Sequence, residues 1–321
     1  MTGAVTTAGL RIWDAQAVRS ALTYDAAIPV VRQAMAALSS GEVRQLLRSF
    51  IGLGEGRTFA IMPAALDRPA VFGAKLVSVF ADGRGRKSHE GLVVLFEGEE
   101  GAPVCLADAG EVTAIRTAAA SAAATDALAR TGAARLAILG LGRQAEAHIE
   151  AISKVRDLRE VRVWGRDAAR AGAFADAVRS RTGLSVTAYA GAREAVAGAD
   201  IVCTVSAAAD PILEGGWVSP GAHVNLVGSS GPAQAEADVE LVAMSRFIVD
   251  HREHVLVHGG EFLRAKAAGR VDDAHIAGEI GEVYARRLPG RTSAEEITVY
   301  KSLGHAVQDL ACVAWLDGRR D

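Results

Sequence analysis

Apolar and polar residues follow two rhythms along this chain. Over residues 25–41, "DAAIPVVRQAMAALSSG", apolar positions recur every three or four residues and predict a helix that stops at Gly41. "RTFAIMPAAL", "AVFGAKLVSVF" and "GLVVLFE" are short apolar runs divided by Gly, Pro and Asp, which predicts strands. The segment "ADGRGRK" between the second and third reads as a flexible polar loop. From Glu111 to Thr131, "EVTAIRTAAASAAATDALART" is so rich in Ala, the best helix former, that one long helix is expected. The rhythm then changes. "ARLAILG", "EVRVWG", "ADIVCTV", "HVNLVG" and "RFIVD" predict strands, and helical segments separate several of them. That alternation belongs to an α/β protein with a doubly wound parallel sheet. The tail, "AEEITVYKSLGHAVQDLACVAWL", predicts a strand-like piece followed by an amphipathic helix.

Composition sharpens this picture. Half of the 321 residues are apolar but only 5% are aromatic, which suits helices packed on buried parallel strands and two domains or one large one. A net charge of -3 argues against nucleic acid as a partner. No apolar run approaches a membrane span, so no membrane partner is expected, and the first residues lack the pattern of a signal peptide. Cys105, Cys203 and Cys312 sit in apolar settings and read as buried thiols of a cytoplasmic protein. His251, His254 and His258 fall within eight residues, but no carboxylate or thiol is arranged around them. A solvated helix start is therefore expected there, and no metal.

One motif carries cofactor chemistry. Gly140, Gly142 and Ala145 follow the strand "RLAIL" and open the helix "RQAEAHIEAISKV", the context that a dinucleotide-binding turn requires. The glycines permit a tight turn and close approach of a pyrophosphate, and the helix N-terminus offers N–H groups to it. An NAD site usually ends the next strand with an acid on the ribose hydroxyl. Here "EVRVWGRD" has Gly165 at that point and Arg166 after it, so NADP(H) is preferred. Asp167 leaves NAD(H) open if the strand ends later.

Three basic residues have apolar neighbours. Lys75 lies in "FGAKLVSVF", which otherwise reads as a fully buried strand; Arg116 lies in the Ala-rich helix; Arg48 precedes "SFIGLG". A buried cation is paired with a core carboxylate or serves a ligand, because an isolated buried charge is very costly.

The chain resembles the ornithine cyclodeaminase/mu-crystallin family through "IMPA", "AKLVSVF", "GAPVCLADAGEVTAIRTAAASAAAT", "LGLGRQAEAH", "HVNLVGSSGP" and "ITVYKSLGHAVQDLA", in that order. The resemblance implies a Rossmann-type doubly wound sheet (residues 118–296) inserted into a second α+β domain (1–117 and 297–321) that binds substrate and forms a homodimer. It implies that Arg48, Lys75 and Arg116 hold a substrate carboxylate beside the nicotinamide. It also implies cofactor contacts from Gly140, Leu141, Gly142, Arg143, Gln144, Ala145, Arg166, Thr204, Val205, Ser206, Val227, Gly228, Ser229 and Ser302. His89 and Glu90 align with the edge of the nicotinamide pocket, and Lys301 lies near that ring.

Two departures narrow the reaction. Cyclodeaminases of the family carry an acid two positions before the motif Met, where this chain has Ala60, and an Asp where it has Ser230. Without both acids, loss of ammonia from a diamine followed by cyclisation is disfavoured. The pattern resembles the reductase branch, which implies hydride transfer from NAD(P)H to a ketimine carboxylate of the pyrroline- or piperideine-2-carboxylate kind. Ser230 would supply one hydrogen bond at the imine nitrogen. A cyclodeaminase, an alanine-dehydrogenase-like or N-alkyl amino acid oxidoreductase, and a non-enzymatic NADPH-dependent ligand binder are the alternatives.

Overall fold

The computed structural model describes residues 9–81 and 87–318. The chain divides into two compact units, residues 1–116 with 305–321 and residues 117–304. The boundary is not at 296/297, as the sequence suggested, because the strand at Thr298–Lys301 is paired inside the second unit's sheet.

The first unit is built on a seven-stranded sheet of β1 (Arg11–Trp13), β2 (Val43–Gln45), β3 (Ser49–Gly54), β4 (Arg57–Asp67), β5 (Ala70–Ala81), β6 (Lys87–Glu97) and β7 (Pro103–Asp108). Its order is β1-β7-β6-β5-β4-β2, with β3 also on β4, and every pairing except β1–β7 is antiparallel. Helices α1 (Ala15–Ala21) and α2 (Tyr24–Ser40), the start of α3 (Ala109–Leu128), and α11 (Ala306–Gly318) complete it. α2 ends at Gly41, which takes the left-handed conformation that closes the helix.

The register assigns the faces of this sheet. Met62 pairs with Lys75 and Lys75 with Val93, so all three share one face, together with Ala60, Ala64, Leu66 and Leu95. These side chains are buried, and α11 packs against β4 and β5. The opposite face of β5 and β6 carries Phe72 and Phe96, stacked at 5.1 Å, and Phe80 and Leu92, with Phe72, Phe80 and Leu92 exposed. The expectation of a fully buried β5 is therefore corrected: Lys75 is buried while its outward neighbours are not, because helices cover one face only. α11 is also not the amphipathic helix expected. It is buried from Ala306 to Val313 and again at Leu316, wedged against α2 and the sheet. The predicted loop at 81–87 shrinks, since β5 reaches Ala81 and β6 begins at Lys87; its centre, 82–86, lies outside the described residues.

The second unit is an all-parallel sheet of β8 (Arg135–Leu139), β9 (Glu160–Trp164), β10 (Val186–Ala188), β11 (Ile201–Thr204), β12 (His223–Leu226), β13 (Arg246–Val249), β14 (Ile276–Glu279) and β15 (Thr298–Lys301). The order is β10-β9-β8-β11-β12-β15-β13-β14. Helices α4 (Arg143–Ser153), α5 (Ala168–Thr182), α6 (Ala192–Val196), α7 (Val239–Met244), α8 (Arg252–His258), α9 (Gly260–Ala267) and α10 (Ile280–Tyr284) connect the strands. The central strands β8, β11 and β12 are fully buried apart from Arg135, as parallel strands covered on both faces must be. The order reverses between β8 and β11, and the crevice beyond their C-terminal ends is where doubly wound sheets bind ligands. Among the described residues, no helix is long and apolar enough to cross a membrane.

Candidate active site

In the first unit, β5, α3 and α11 bring two buried cations onto one carboxylate. Lys75 Nζ lies 3.3 Å and Arg116 Nε 3.1 Å from Oδ1 of Asp309, which is fully buried. Arg116 also donates through Nη1 to Oε1 of Gln308 at 2.9 Å. Thr113 stands one helical turn before Arg116 on α3 and accepts a hydrogen bond from Lys75. The Thr113 hydroxyl has one proton and gives it to the carbonyl of Ala109 at 2.5 Å, so its lone pairs face the ammonium.

The electrostatics follow from burial. Desolvation pushes the Lys75 ammonium down from 10.5 to about 8; Asp309 pulls it up, and the guanidiniums of Arg116 and Arg48 push it down again. Arg48, half-buried between β2 and β3, thus belongs to the same cluster. Lys75 and Arg116 share the one carboxylate oxygen, and Arg48 adds a further positive field at Lys75. The surplus of positive charge suits an anionic ligand.

In the second unit, the turn after β8 has the form of a phosphate cradle. Gly140 adopts φ +136, and a Cβ there would stand 2.7 Å from the carbonyl oxygen of Val205, so the close approach of the β8 and β11 loops requires glycine. Gly142 caps α4 without any side-chain hydrogen bond, and no atom lies within 4 Å of where its Cβ would be. That open space, beside the uncapped N–H groups of α4, fits a pyrophosphate. Ala145 is fully buried, which lets α4 lie close to its strand. Gln144 Oε1 and Ser302 Oγ are buried with no hydrogen-bond partner among the described residues, and a bound dinucleotide would satisfy such atoms.

β9 ends at Trp164, and Arg166 is exposed just beyond it. A Cβ on Gly165 would fall 2.3 Å from Leu141 Cδ1, so the ribose-binding acid of an NAD site cannot enter here unless Leu141 moves. Asp167 is the N-cap of α5 and accepts from Arg170 N at 3.0 Å.

A buried acid that the sequence did not single out ties the next two loops together. Glu236 Oε1 accepts from Ser206 N and Oγ, both at 2.7 Å, and Oε2 accepts from Thr204 Oγ1 at 2.8 Å and Gly228 N at 2.6 Å. Burial raises the pKa of Glu236 despite these donors. A second acid, Glu261, accepts from Ser229 Oγ at 2.7 Å and pairs with Lys301 Nζ at 2.8 Å; Lys301 also donates to the carbonyl of Ser229. Burial raises the pKa of Glu261, but Lys301 and the other donors outweigh it and leave the group low.

The expected residues thus fall into separate groups. Lys75, Arg48 and Arg116 come together with Asp309. Gly140, Leu141, Gly142, Arg143, Gln144 and Ala145 line the turn into α4, Thr204 ends β11, and Val205, Ser206, Val227 and Gly228 lie in the loops after β11 and β12. The Ser229 side chain is fully buried and committed to Glu261 and Lys301, and Lys301 is a buried ion-pair partner of Glu261. Ser230 and Glu90 are exposed, and the side chain of His89 lies outside the described residues. The histidine segment is not a solvated helix start: His254 is 3% exposed, with the rings of His251 and His258 edge-on to it. Asp309 escaped notice because its partners are 234 and 193 residues away. A lone acid in the apolar helix "HAVQDLACVAWL" was the available signal.

A parallel doubly wound sheet with a glycine-rich turn at its switch point defines a Rossmann-type dinucleotide-binding protein carrying a second, α+β unit. The chain belongs to the ornithine cyclodeaminase/mu-crystallin family, whose profile matches residues 11–318. The ketimine reductase mu-crystallin of Mus musculus is 37% identical over 304 residues, 91% of this chain and 93% of that protein. Among solved structures, the Δ1-pyrroline-2-carboxylate reductase of Thermococcus litoralis in complex with NADH and L-proline superposes with a TM-score of 0.91 at 29% identity, covering 95% of this chain and 96% of that one. An archaeal alanine dehydrogenase dimer with bound NAD gives a TM-score of 0.89 at 29% identity, with 95% and 94% covered.

Proposed function

We propose that this protein is an NAD(P)H-dependent imino-acid reductase that converts a ketimine carboxylate, of the pyrroline-2-carboxylate or piperideine-2-carboxylate type, to the cyclic amino acid. The observation that carries this reading is the buried pair Lys75 and Arg116 on the single carboxylate of Asp309, with Arg48 adding a third cation. The names of the relatives, which include a ketimine reductase and a pyrroline-2-carboxylate reductase crystallised with proline, support it.

A bound reduced nicotinamide supplies the hydride. Arg116, held by its Nε and Nη1, offers Nη2 to the substrate carboxylate, and Arg48 adds a further positive charge to the cluster. Lys75, lowered to about 8, is protonated at neutral pH and still able to release its proton. It keeps the imine nitrogen protonated, and an iminium carbon accepts hydride far more readily than a neutral imine.

Ala60 argues against the deaminating branch. It shares the buried face of β4 with Met62, diagonally adjacent to Lys75, and an acid at that position would sit against the lysine. Here only a methyl group is present, and the site retains its surplus positive charge.

NADP(H) is the preferred cofactor on this reading, supported by exposed Arg166 beyond β9, by Gly165 closed to an acid, and by Asp167 engaged as a helix cap. NAD(H) use is compatible with the same turn. The first unit binds the imino acid and the second the dinucleotide. A homodimer is supported by the exposed apolar band Ile51, Phe72, Phe80 and Leu92, which a monomer would leave in water. The deciding experiment follows NADPH consumption by the purified protein with pyrroline-2-carboxylate, piperideine-2-carboxylate and pairs of amine with 2-oxo acid. Absence of turnover on every one overturns the reading.

A further inference from the structure

We infer that Asp309, with Gln308 beside it on α11, is the positioning residue of the carboxylate site, fixing Lys75 and Arg116 so that the uncommitted N–H groups of each turn toward the ligand. The inference rests on the reductase reading and deepens it.

The donor inventory supports it. An ammonium has three N–H groups. Lys75 directs one to Thr113 Oγ1, whose own proton is committed to Ala109, and one to Asp309 Oδ1. Among the described residues the third has no acceptor in the protein. Arg116 spends Nε on Asp309 and Nη1 on Gln308, and Nη2 has no acceptor among those residues. Two consecutive residues of one helix therefore hold two of the three guanidinium nitrogens and leave Nη2 presented.

The carboxylate itself is used asymmetrically. Oδ1 takes both cations, while Oδ2 is buried with no hydrogen-bond partner among the described residues. A carboxylate serving stability alone would share its two oxygens between two cations, because an orphaned buried acceptor is costly. Crowding both onto Oδ1 instead fixes the direction in which Lys75 and Arg116 point.

Among the described residues, Asp309 is the anion paired with Lys75. Arg48 faces it from the segment between β2 and β3, Arg116 and the hydroxyl of Thr113 from α3, and the apolar Met62 and Val93 from the neighbouring strands. Asp309 is thus what keeps Lys75 protonated against burial and two guanidiniums.

The test is Asp309→Asn in the full chain. The variant keeps the shape and the Oδ1 acceptor for Arg116 but removes the charge. An opposite charge at this distance moves a pKa by about 1–3 pH units. Imine reduction by the wild type is expected to fall on the alkaline side near pH 8, as Lys75 loses its proton, and in the variant that fall is expected at least about one pH unit lower. The variant's deficit, about tenfold at mildly alkaline pH, then narrows as the pH is lowered, and KM for NADPH is unmoved. A role confined to stability would lower the melting temperature without shifting the pH profile. Calorimetric titration of the NADP+-loaded protein with pyrrole-2-carboxylate, a carboxylate that cannot be turned over in this assay, gives a readout independent of activity. The pH above which its affinity declines is expected to fall in the variant. An unmoved profile in both experiments overturns the inference while leaving the reductase reading intact. If the wild type reduces no imine, that reading fails, and the pyrrole-2-carboxylate titrations alone decide the role of Asp309. Should Asp309→Asn not fold, Gln308→Met tests the same grip: substrate KM rises about tenfold with the pH profile unchanged, and an unchanged KM overturns the inference.

Discussion

Replacing Lys75 with Met should make this protein more stable and inactive at once. The ammonium is 4% exposed, and burial pushes it from 10.5 to about 8 even though Asp309 holds it up. A drop of that size means that the folded state disfavours the protonated lysine by about 3 kcal/mol relative to the unfolded chain. Because the folded value lies below the unfolded one, the unfolded chain retains, between about pH 8 and pH 10.5, a proton that the folded chain has released. Wild-type stability therefore rises across that window, and the whole penalty is present below it. Met has nearly the length of Lys, carries no charge, and leaves Asp309 paired with Arg116. At neutral pH the variant should gain about 3 kcal/mol, roughly 10 °C in melting temperature for a unit of this size. The gain should vanish near pH 10.5. Thermal unfolding of the apo protein, at one protein concentration so that association does not intrude, measures this directly. Imine reduction should fall by about 100-fold or more when the proton donor is removed. Equal or lower stability of Lys75→Met at neutral pH, or a gap that does not close in alkali, refutes the account of Lys75 as a buried cation retained for chemistry.

Three further outcomes are expected. Gly140→Ala must adopt φ +136 and pushes a methyl to 2.7 Å from the Val205 carbonyl oxygen, so it should cost about 2 kcal/mol or more by chemical denaturation and abolish the NADPH fluorescence titration. Arg166→Ala should raise KM for NADPH about tenfold and leave KM for NADH unchanged; equal changes in both would remove Arg166 from cofactor selection. Leu92→Arg, at an exposed position of the outer face of the seven-stranded sheet, should be monomeric in light scattering where the wild type, on the homodimer proposed above, is dimeric; a monomeric wild type or a dimeric variant refutes that interface.

Much of this architecture was legible in the sequence because its signals are local. The helix ending at Gly41, the Ala-rich helix, and the run of apolar strands that become β8, β9, β11, β12 and β13 each announce themselves within a window of about ten residues. The strands β1, β2 and β10 did not, since three residues carry too little periodicity, and β14, "IAGE", has only one large apolar residue before its glycine. β5 misled for a different reason. Its two faces are both apolar, so the sequence has no alternation by which to tell the face under α11 from the face bearing Phe72 and Phe80. In the site, Lys75 and Arg116 stood out as charges in apolar text. Asp309, Glu236 and Glu261 were missed because what makes each important is a partner that only folding brings near.

The order of the parallel sheet has a consequence for how the chain is made. β12 and β13 are nearest neighbours among the strands in sequence, yet they never touch; β15, some fifty residues further on, lies between them. During synthesis, the strands through β12 can assemble as they emerge, and β13 with β14 can form a separate pair. Both assemblies then wait, each with an open edge, until Thr298–Lys301 arrives to bridge them. Unpaired parallel edges of this kind are adhesive. A ribosome that stalls before residue 298 thus leaves two half-sheets exposed. The same strand leads directly into Ser302 and carries Lys301, so the last piece to arrive both closes the sheet and completes the ion pair with Glu261. The dinucleotide-binding unit of this chain is finished from its far end.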